Sequence, residues 1–297
     1  MRCEDVMERL DALRTGELDA ADASAVTSHL GSCDECRDAG ASLATLAVRL
    51  RARPRPAPRE ILAGVLDAAA ERFGVVATDA GPAWVGWSPR GVTFVRLGED
   101  ADAFAEAYRE ERGRAPRSSE VPARYADAVR RALAGEPAAD VPLDLSALPA
   151  YERETLEALR RIPRGEVRPY AWLARETGRP RAARAVGNAL ARNPVPLLLP
   201  CHRVVPSGGG TGRYIFGAPL KRELLRREGV PVDEVEALAR RGVRFLGCRT
   251  TGIYCHPTCH DIRRARPENR VPLADERAAA AAGFRPCQHC RPTALAA

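Results

Sequence analysis

The distribution of cysteine constrains this chain more than any other feature. Nine cysteines occur in 297 residues, and seven of them gather near the two ends. Close to the C-terminus stand Cys255-x3-Cys259 and, 27 intervening residues later, Cys287-x2-Cys290. Two close cysteine pairs joined by a loop are the ligand pattern of a tetrahedral zinc site, so Cys255, Cys259, Cys287 and Cys290 form the first-ranked set. His256, His260 and His289 lie near enough to replace one thiolate. Near the N-terminus His29-x3-Cys33-x2-Cys36 supplies three ligands, and Cys3, far upstream, completes a tetrahedron. The alternative there is a small helical hairpin with free thiols. Two zinc ions per chain are therefore expected. The residues around the N-terminal group recur at helical spacing (Val6, Met7, Leu10, Leu13; Leu43, Leu46, Ala47, Leu50), which predicts short helices.

No apolar run reaches the ~18 residues that a membrane span requires. The N-terminus is acidic and unlike a signal sequence. A cytoplasmic protein with no membrane partner is expected, and in a reducing compartment grouped cysteines serve as metal ligands or nucleophiles.

Arg51-Ala-Arg-Pro-Arg-Pro-Ala-Pro-Arg59 reads as a semi-rigid spacer within a linker at 51–71. Beyond it, short strands are predicted at Val75–Thr78, Ala83–Trp87 and Val92–Leu97, then helices near 101–112 and 122–134. Residues 151–192 read as helices broken by Gly and Pro: Ala171–Thr177 stops at Gly178, and Pro180 opens the next. Along 181–192 the apolar Ala182, Ala185, Val186, Ala189 and Leu190 share one face, while Arg181, Arg184, Asn188 and Arg192 share the other with Gly187. This is a helix-turn-helix pattern with a basic outer face. Charge agrees with a nucleic-acid partner. Residues 1–50 carry five arginines against ten acids, whereas residues 160–231 carry fourteen arginines and Lys221 against four glutamates. Residues 240–297 carry eleven arginines against four acids. A basic C-terminal half attracts phosphate, and the acidic head is repelled by it.

Pro200-Cys201-His202-Arg203-Val204-Val205-Pro206 holds the remaining chemistry. A thiol is nucleophilic as thiolate and needs a neighbouring base, and an imidazole follows Cys201 directly. The flanks carry a resemblance. Upstream lie Arg184-Ala-Val-Gly-Asn-Ala-Leu-Ala-Arg-Asn193-Pro194. Downstream lie Gly212-Arg213-Tyr214 and Lys221-Arg-Glu-Leu-Leu-Arg-Arg-Glu228-Gly229. In this order and spacing, residues 72–231 resemble the alkylguanine-DNA alkyltransferases, single-turnover proteins that move an alkyl group from the 6-oxygen of guanine to their own cysteine. The resemblance implies an α/β subdomain at 72–150 and an active-site subdomain of winged helix-turn-helix type at 151–231. It makes Cys201 the nucleophile, His202 its base acting through a water, and Glu228 the orienting carboxylate, with Glu223 as the nearby alternative. It places Tyr170, Arg184, Asn193, Arg203, Tyr214 and Lys221 among the substrate- or DNA-binding residues, with Arg184 filling the stack when the base is flipped out, Asn193 as the hinge leading to the active-site strand and Lys221 near that strand. After Tyr214 the family carries small residues, whereas this chain has Ile215 and Phe216, which bears on the bulk of the alkyl groups admitted.

The C-terminal text, Arg249-Thr-Thr-Gly-Ile-Tyr-Cys255-His-Pro-Thr-Cys259 with Ala282-Gly-Phe-Arg-Pro-Cys287-Gln-His-Cys290, resembles the zinc domain of Ada-type methylation regulators. That implies a small α+β domain at 240–297 in which Cys255 takes a methyl group from a DNA phosphotriester. Cys248 matches no ligand position and reads as a small buried residue. The head, residues 1–50, with Cys3-Glu-Asp-Val6 and Gly16-Glu-Leu18, resembles an anti-sigma-factor zinc finger, which implies binding to a sigma factor or sensing of thiol oxidation; the alternative function is an alkylation- or redox-responsive regulator acting on a sigma factor. The whole is expected to be a multidomain α+β protein, a monomer on DNA, whose two methyl acceptors work independently.

Overall fold

The computed structural model describes residues 1–52, 59–98, 100–138, 140–208 and 210–292. The proline spacer falls on residues outside this set at 53–58. Two compact units are present, Met1–Leu66 and Asp67–Ala297. Among the described residues no helix is long and apolar enough to cross a membrane.

Among the described residues the regular elements of the first unit are helices: α1 (Cys3–Met7), α2 (Leu10–Thr15), α3 (Ala20–Ser32), α4 (Asp34–Ala52) and α5 (Arg59–Ala68). Asp19 caps α3 by accepting the amide of Asp22 at 2.8 Å, which satisfies one of the otherwise unpaired first-turn donors. Val6, Leu10, Val26 and Cys36 form its small core. A core this small gives little burial energy, so a metal cross-link is the physical supplement such a module uses.

The second unit opens with β1 (Arg72–Thr78), β2 (Gly81–Ser88) and β3 (Gly91–Leu97), an antiparallel meander, followed by α6 (Ala101–Arg112), β4 (Arg117–Ser118) and α7 (Ala123–Leu133). The order across the sheet is β3-β2-β1-β4. The three long strands fall on the predicted segments, with β1 starting earlier, at Arg72, and β2 at Gly81. β4 was not legible, being two residues held only by parallel pairing to β1. Phe104 and Tyr108 of α6 pack on Phe73 and Phe94 on one face of the sheet. Tyr125, Ala128, Val129 and Ala132 of α7 pack on the other, in the main core.

That core runs on without a break into α8 (Ala150–Glu157), β5 (Arg168–Pro169), α9 (Tyr170–Glu176), α10 (Ala183–Ala191), β6 (Val204–Val205) and α11 (Ala218–Arg227). Helices α9 and α10 form the expected helix-turn-helix. The second begins at Ala183, three residues beyond Pro180, because residues 180–182 complete the turn. Val186, Ala189 and Leu190 are buried, while Arg181, Arg184 and Asn188 are exposed, as the periodicity predicts. Arg192 leaves the basic face and pairs with Glu152 of α8.

Helix α12 (Val232–Arg240) joins two cores. Val232 and Val235 pack with Val167, Val205 and Leu225, and Leu238 packs with the C-terminal cysteines. The last segment contains β7 (Phe245–Cys248), β8 (Ile253–Cys255), α13 (His260–Arg264), β9 (Arg270–Leu273), α14 (Glu276–Ala281) and β10 (Arg285–Pro286), with sheet order β10-β8-β7-β9.

Candidate active site and metal centres

Cys201 is delivered by an irregular segment rather than by a strand. After α10 the chain turns through Asn193–Pro200, and Cys201–Arg203 form one 3-10 turn before β6. Asn193, fully buried, organises this turn. Its side-chain oxygen Oδ1 accepts the Val195 amide at 3.1 Å, and its side-chain nitrogen donates to the Leu199 carbonyl at 3.1 Å and to the Cys201 sulfur at 3.2 Å. Leu197 within the turn has a φ of 76°. For a branched residue this left-handed conformation costs ~1–3 kcal/mol and persists only where surrounding contacts impose it.

His202, buried, shares a hydrogen bond of 2.9 Å between Nε2 and Glu228 Oε1. Arg203 closes the arrangement: its Nε donates to Glu228 Oε2 at 2.9 Å and one terminal nitrogen donates to Oε1 at 2.9 Å. Its other terminal nitrogen donates to the Ile162 carbonyl at 2.8 Å. Burial works against the Glu228 charge, but hydrogen bonds from His202 and Arg203 outweigh it and hold the carboxyl at about 2. Burial pushes the His202 imidazole down despite Glu228, so the ring is neutral near pH 7 and free to take a proton. With Nε2 engaged by Glu228, Nδ1 has no protein partner among the described residues. The thiol of Cys201 is raised by burial and opposed by Asn193 and Lys221. Lys221 is itself buried and brought down to about 8 by burial. Its ammonium donates to the carbonyls of Val204 at 2.6 Å and Arg213 at 3.3 Å.

Cys201 lies in a cleft of about 890 Å³ whose walls include Tyr170, Arg184, Gly187, Tyr214 and Ile215. Helix α10 therefore faces the reactive sulfur with its basic side. A Cβ on Gly187 would touch only Tyr170, at 4.0 Å, so the missing side chain leaves room on the cleft side. Gly212, at φ +70, lets the Tyr214 loop run against Pro206, where a Cβ would come within 2.7 Å of the ring. Tyr214 stands edge-on to His202 at 6.1 Å and to Phe216 at 5.5 Å.

The C-terminal donor set is complete. One sulfur from each of Cys255, Cys259, Cys287 and Cys290 lies within 4.8 Å of all the others, and all four residues are buried. Without a cation these thiols can only share protons. Hydrogen bonds from Cys255 and Cys290 lower Cys259, and Cys255 is raised by its hydrogen bonds with Cys259 and Cys290. A divalent ion preferring four sulfurs removes that conflict, so the set fits zinc. Cys3, His29, Cys33 and Cys36 likewise bring their ligand atoms within 4.8 Å of one another, with Cys3 exposed.

Residues 150–230 match the family model of the 6-O-methylguanine DNA methyltransferase DNA-binding domain, residues 237–293 that of the metal binding domain of Ada, and residues 3–37 a zinc-finger model. A methylated-DNA–protein-cysteine methyltransferase of Shigella flexneri is 34% identical over 160 residues, covering 52% of this chain and 93% of the relative. The chain belongs to the methylated-DNA–protein-cysteine methyltransferase family. The bifunctional transcriptional activator/DNA repair enzyme Ada of Escherichia coli is 35% identical over 162 residues, 54% of this chain and 46% of Ada. The rat methylated-DNA–protein-cysteine methyltransferase is 40% identical over 121 residues, 38% of this chain and 56% of the relative. The chain thus spans about half the length of these last two relatives. Among solved structures, Mycobacterium tuberculosis OGT in complex with DNA is 30% identical, covering 56% of this chain and 98% of that one, with a TM-score of 0.44.

This methyltransferase-family chain has two zinc sites, one at each end, and a DNA-binding domain between them. Tyr170, Arg184, Cys201 and Tyr214 meet at the cleft. Asn193, Arg203 and Lys221, expected on substrate or DNA, line no part of it. Asn193 is buried in the turn behind Cys201, Lys221 is buried on α11 with its ammonium on the Val204 and Arg213 carbonyls, and Arg203 is tied to Glu228, so all three support the reactive segment from within. Glu223 pairs with Arg227 one turn along α11 and does not reach His202. Cys248 is buried, its sulfur 3.2 Å from the Thr250 hydroxyl, and takes no part in the metal site. Asn188, placed by its periodicity on the outer face of the recognition helix, also lines the cleft, as do Ser207 and Arg213, which were not expected there; of these two only Arg213, beside Tyr214, carried a local signal.

Proposed function

We propose that this chain repairs DNA by moving the alkyl group of a 6-O-alkylguanine onto Cys201 in a single turnover. What carries the reading is the buried Glu228–His202 pair beside a cysteine that lines a cleft walled by a basic recognition helix. An alkylated base inside a duplex is out of reach, so the nucleotide rotates into the cleft. Arg184, exposed at the cleft edge, occupies its place in the stack, and Tyr170 and Tyr214 border the flipped base. His202, through a water, accepts the thiol proton, with Glu228 orienting the ring. The sulfur then attacks the alkyl carbon: the S–C bond forms as the C–O bond breaks, and the released guanine takes up a proton. Incubation with duplex carrying 6-O-methylguanine should add the mass of one methyl replacing hydrogen, on the peptide containing Cys201. A protein unchanged in mass would refute the assignment.

Cys255 is the second proposed acceptor, for the methyl of a DNA phosphotriester. Zinc, when bound, keeps this sulfur a thiolate at neutral pH. DNA carrying only the phosphotriester should methylate Cys255 and leave Cys201 unchanged. The functional division proposed is a head at 1–50, linker at 51–71, alkyltransferase at 72–231 and zinc domain at 240–297. For the head we propose a sigma factor as partner. The first unit has its own small core, and it leaves Met7, Leu46 and Val48 about half or more exposed. Co-purification of a sigma factor with the intact chain, lost on deleting residues 1–50, tests this.

A further inference from the structure

The zinc domain and the alkyltransferase share a polar seam, and its contacts converge on the segments that hold the Cys201 site. Thr258, between ligands Cys255 and Cys259, is fully buried. Its hydroxyl accepts the Val167 amide at 2.9 Å and faces the Val167 carbonyl at 3.3 Å, so one side chain meets both backbone groups of that residue. Val167 leads into β5, which pairs in parallel with β6 directly after the Cys201 turn. Next to it Glu166 accepts the His260 amide at 3.0 Å. Arg263 of α13 donates to the carbonyls of Gly165 at 3.3 Å and Gly229 at 3.0 Å. Gly229 follows Glu228, the partner of His202.

The second ligand pair grips the following helix. Trp172 of α9 donates its indole N–H to the Cys290 carbonyl at 2.9 Å. Arg175 donates to the Pro292 carbonyl at 2.8 Å, and Arg291 pairs with Glu176 at 2.5 Å. Each cysteine pair thus holds one end of residues 165–176, the stretch that carries Tyr170. A cavity of about 190 Å³ in the seam is lined by Pro206, Ser207 and His256. Pro206 and Ser207 also line the cleft, so one short segment separates the zinc domain from the reactive site.

We propose that Thr258 and Arg263 are positioning residues for the Cys201 reaction, so that the zinc domain holds the first helix of the helix-turn-helix and the Glu228 turn in their working geometry. This rests on the Cys201 reading. The physical basis is that a small misplacement of groups around a reacting atom costs much of the rate while leaving the fold in place. It reverses the expected independence of the two acceptors: the C-terminal segment supports a site whose nucleophile it does not supply.

The test uses the full chain with zinc bound. Thr258→Val keeps the shape and removes the hydroxyl, Thr258→Ser restores it, and Arg263→Ala removes the second tether from outside the ligand set. Single-turnover transfer from a 6-O-methylguanine duplex is measured at saturating DNA, beside the Kd for DNA and the zinc content by native mass spectrometry. Thr258→Val and Arg263→Ala should each slow transfer about tenfold with zinc content and Kd unchanged, and Thr258→Ser should recover most of the loss. Hydrogen exchange gives a readout independent of activity: chelating the zinc should speed exchange at residues 165–176 and 229–230 while β1–β3 stay protected. Should Thr258→Val misfold, Arg263→Ala decides. Transfer by the zinc-loaded variants within twofold of the parent would overturn the proposal. A parent protein that never alkylates Cys201 would instead sink the reading beneath it.

Discussion

Replacing Glu228 by Gln tests the centre of the site through both stability and rate. The carboxyl is held at about 2 against an ordinary 4.5. Because the folded value lies below the unfolded one, ionised Glu228 stabilises the fold. A displacement of this size corresponds to about 3 kcal/mol at neutral pH. The contribution is complete above the unfolded value near 4.5, falls to roughly half by pH 3, and is gone below about pH 2. Glu228→Gln keeps the side-chain shape but leaves Arg203 facing a neutral amide, and Arg203 has only 14% of its side chain exposed to find water instead. Urea unfolding of the second unit in both proteins between pH 3 and 7 should show a gap of about 3 kcal/mol that narrows as pH falls. The difference between the proteins is the informative quantity, since acid also strips metal from cysteine thiolates in both. Transfer to Cys201 should slow about 10²-fold, the usual worth of a positioned base. A gap independent of pH, or an unaltered transfer rate in the Gln variant, would refute the assignment of Glu228.

Cys201→Ser should abolish alkyl transfer with an unchanged melting profile, because a hydroxyl has neither the acidity nor the soft nucleophilicity of a thiol; mass analysis on lesioned duplex reads this. Asn193→Ala leaves the buried Val195 amide without its partner and the Leu199 carbonyl with the Cys201 amide alone, so a loss of about 1–3 kcal/mol in unfolding free energy is expected, with the Cys201 pKa rising further in a thiol-alkylation titration. Arg184→Ala should slow repair in duplex more than transfer from the free alkylated base, and equal losses would place Arg184 in the pocket or the fold. Chelator titration followed by native mass spectrometry should remove the N-terminal zinc first, since Cys3 is exposed whereas all four C-terminal ligands are buried.

What the sequence determined by itself lies in local spacing. The cysteine pairs at Cys255-x3-Cys259 and Cys287-x2-Cys290 define a metal-ligand set without knowledge of the path between them, because two ligands on one turn already fix half a tetrahedron. The strands at 75–97 are marked by the turn-forming segments at 79–81 and 88–91 that separate them, and the outward face of α10 follows from a period of 3.6 residues. The tertiary structure decided what no period encodes. It set Asn193 and Lys221 behind Cys201 instead of in the cleft, turned Arg192 away toward Glu152, and chose Glu228 over Glu223 as the partner of His202 by where α11 ends. It also brought Thr258 to Val167 and Cys290 to Trp172. Each such contact joins residues far apart in sequence, and its energy depends on two surfaces being buried together. A single hydroxyl or indole N–H reads alike in the sequence whether it meets water or the backbone of another domain.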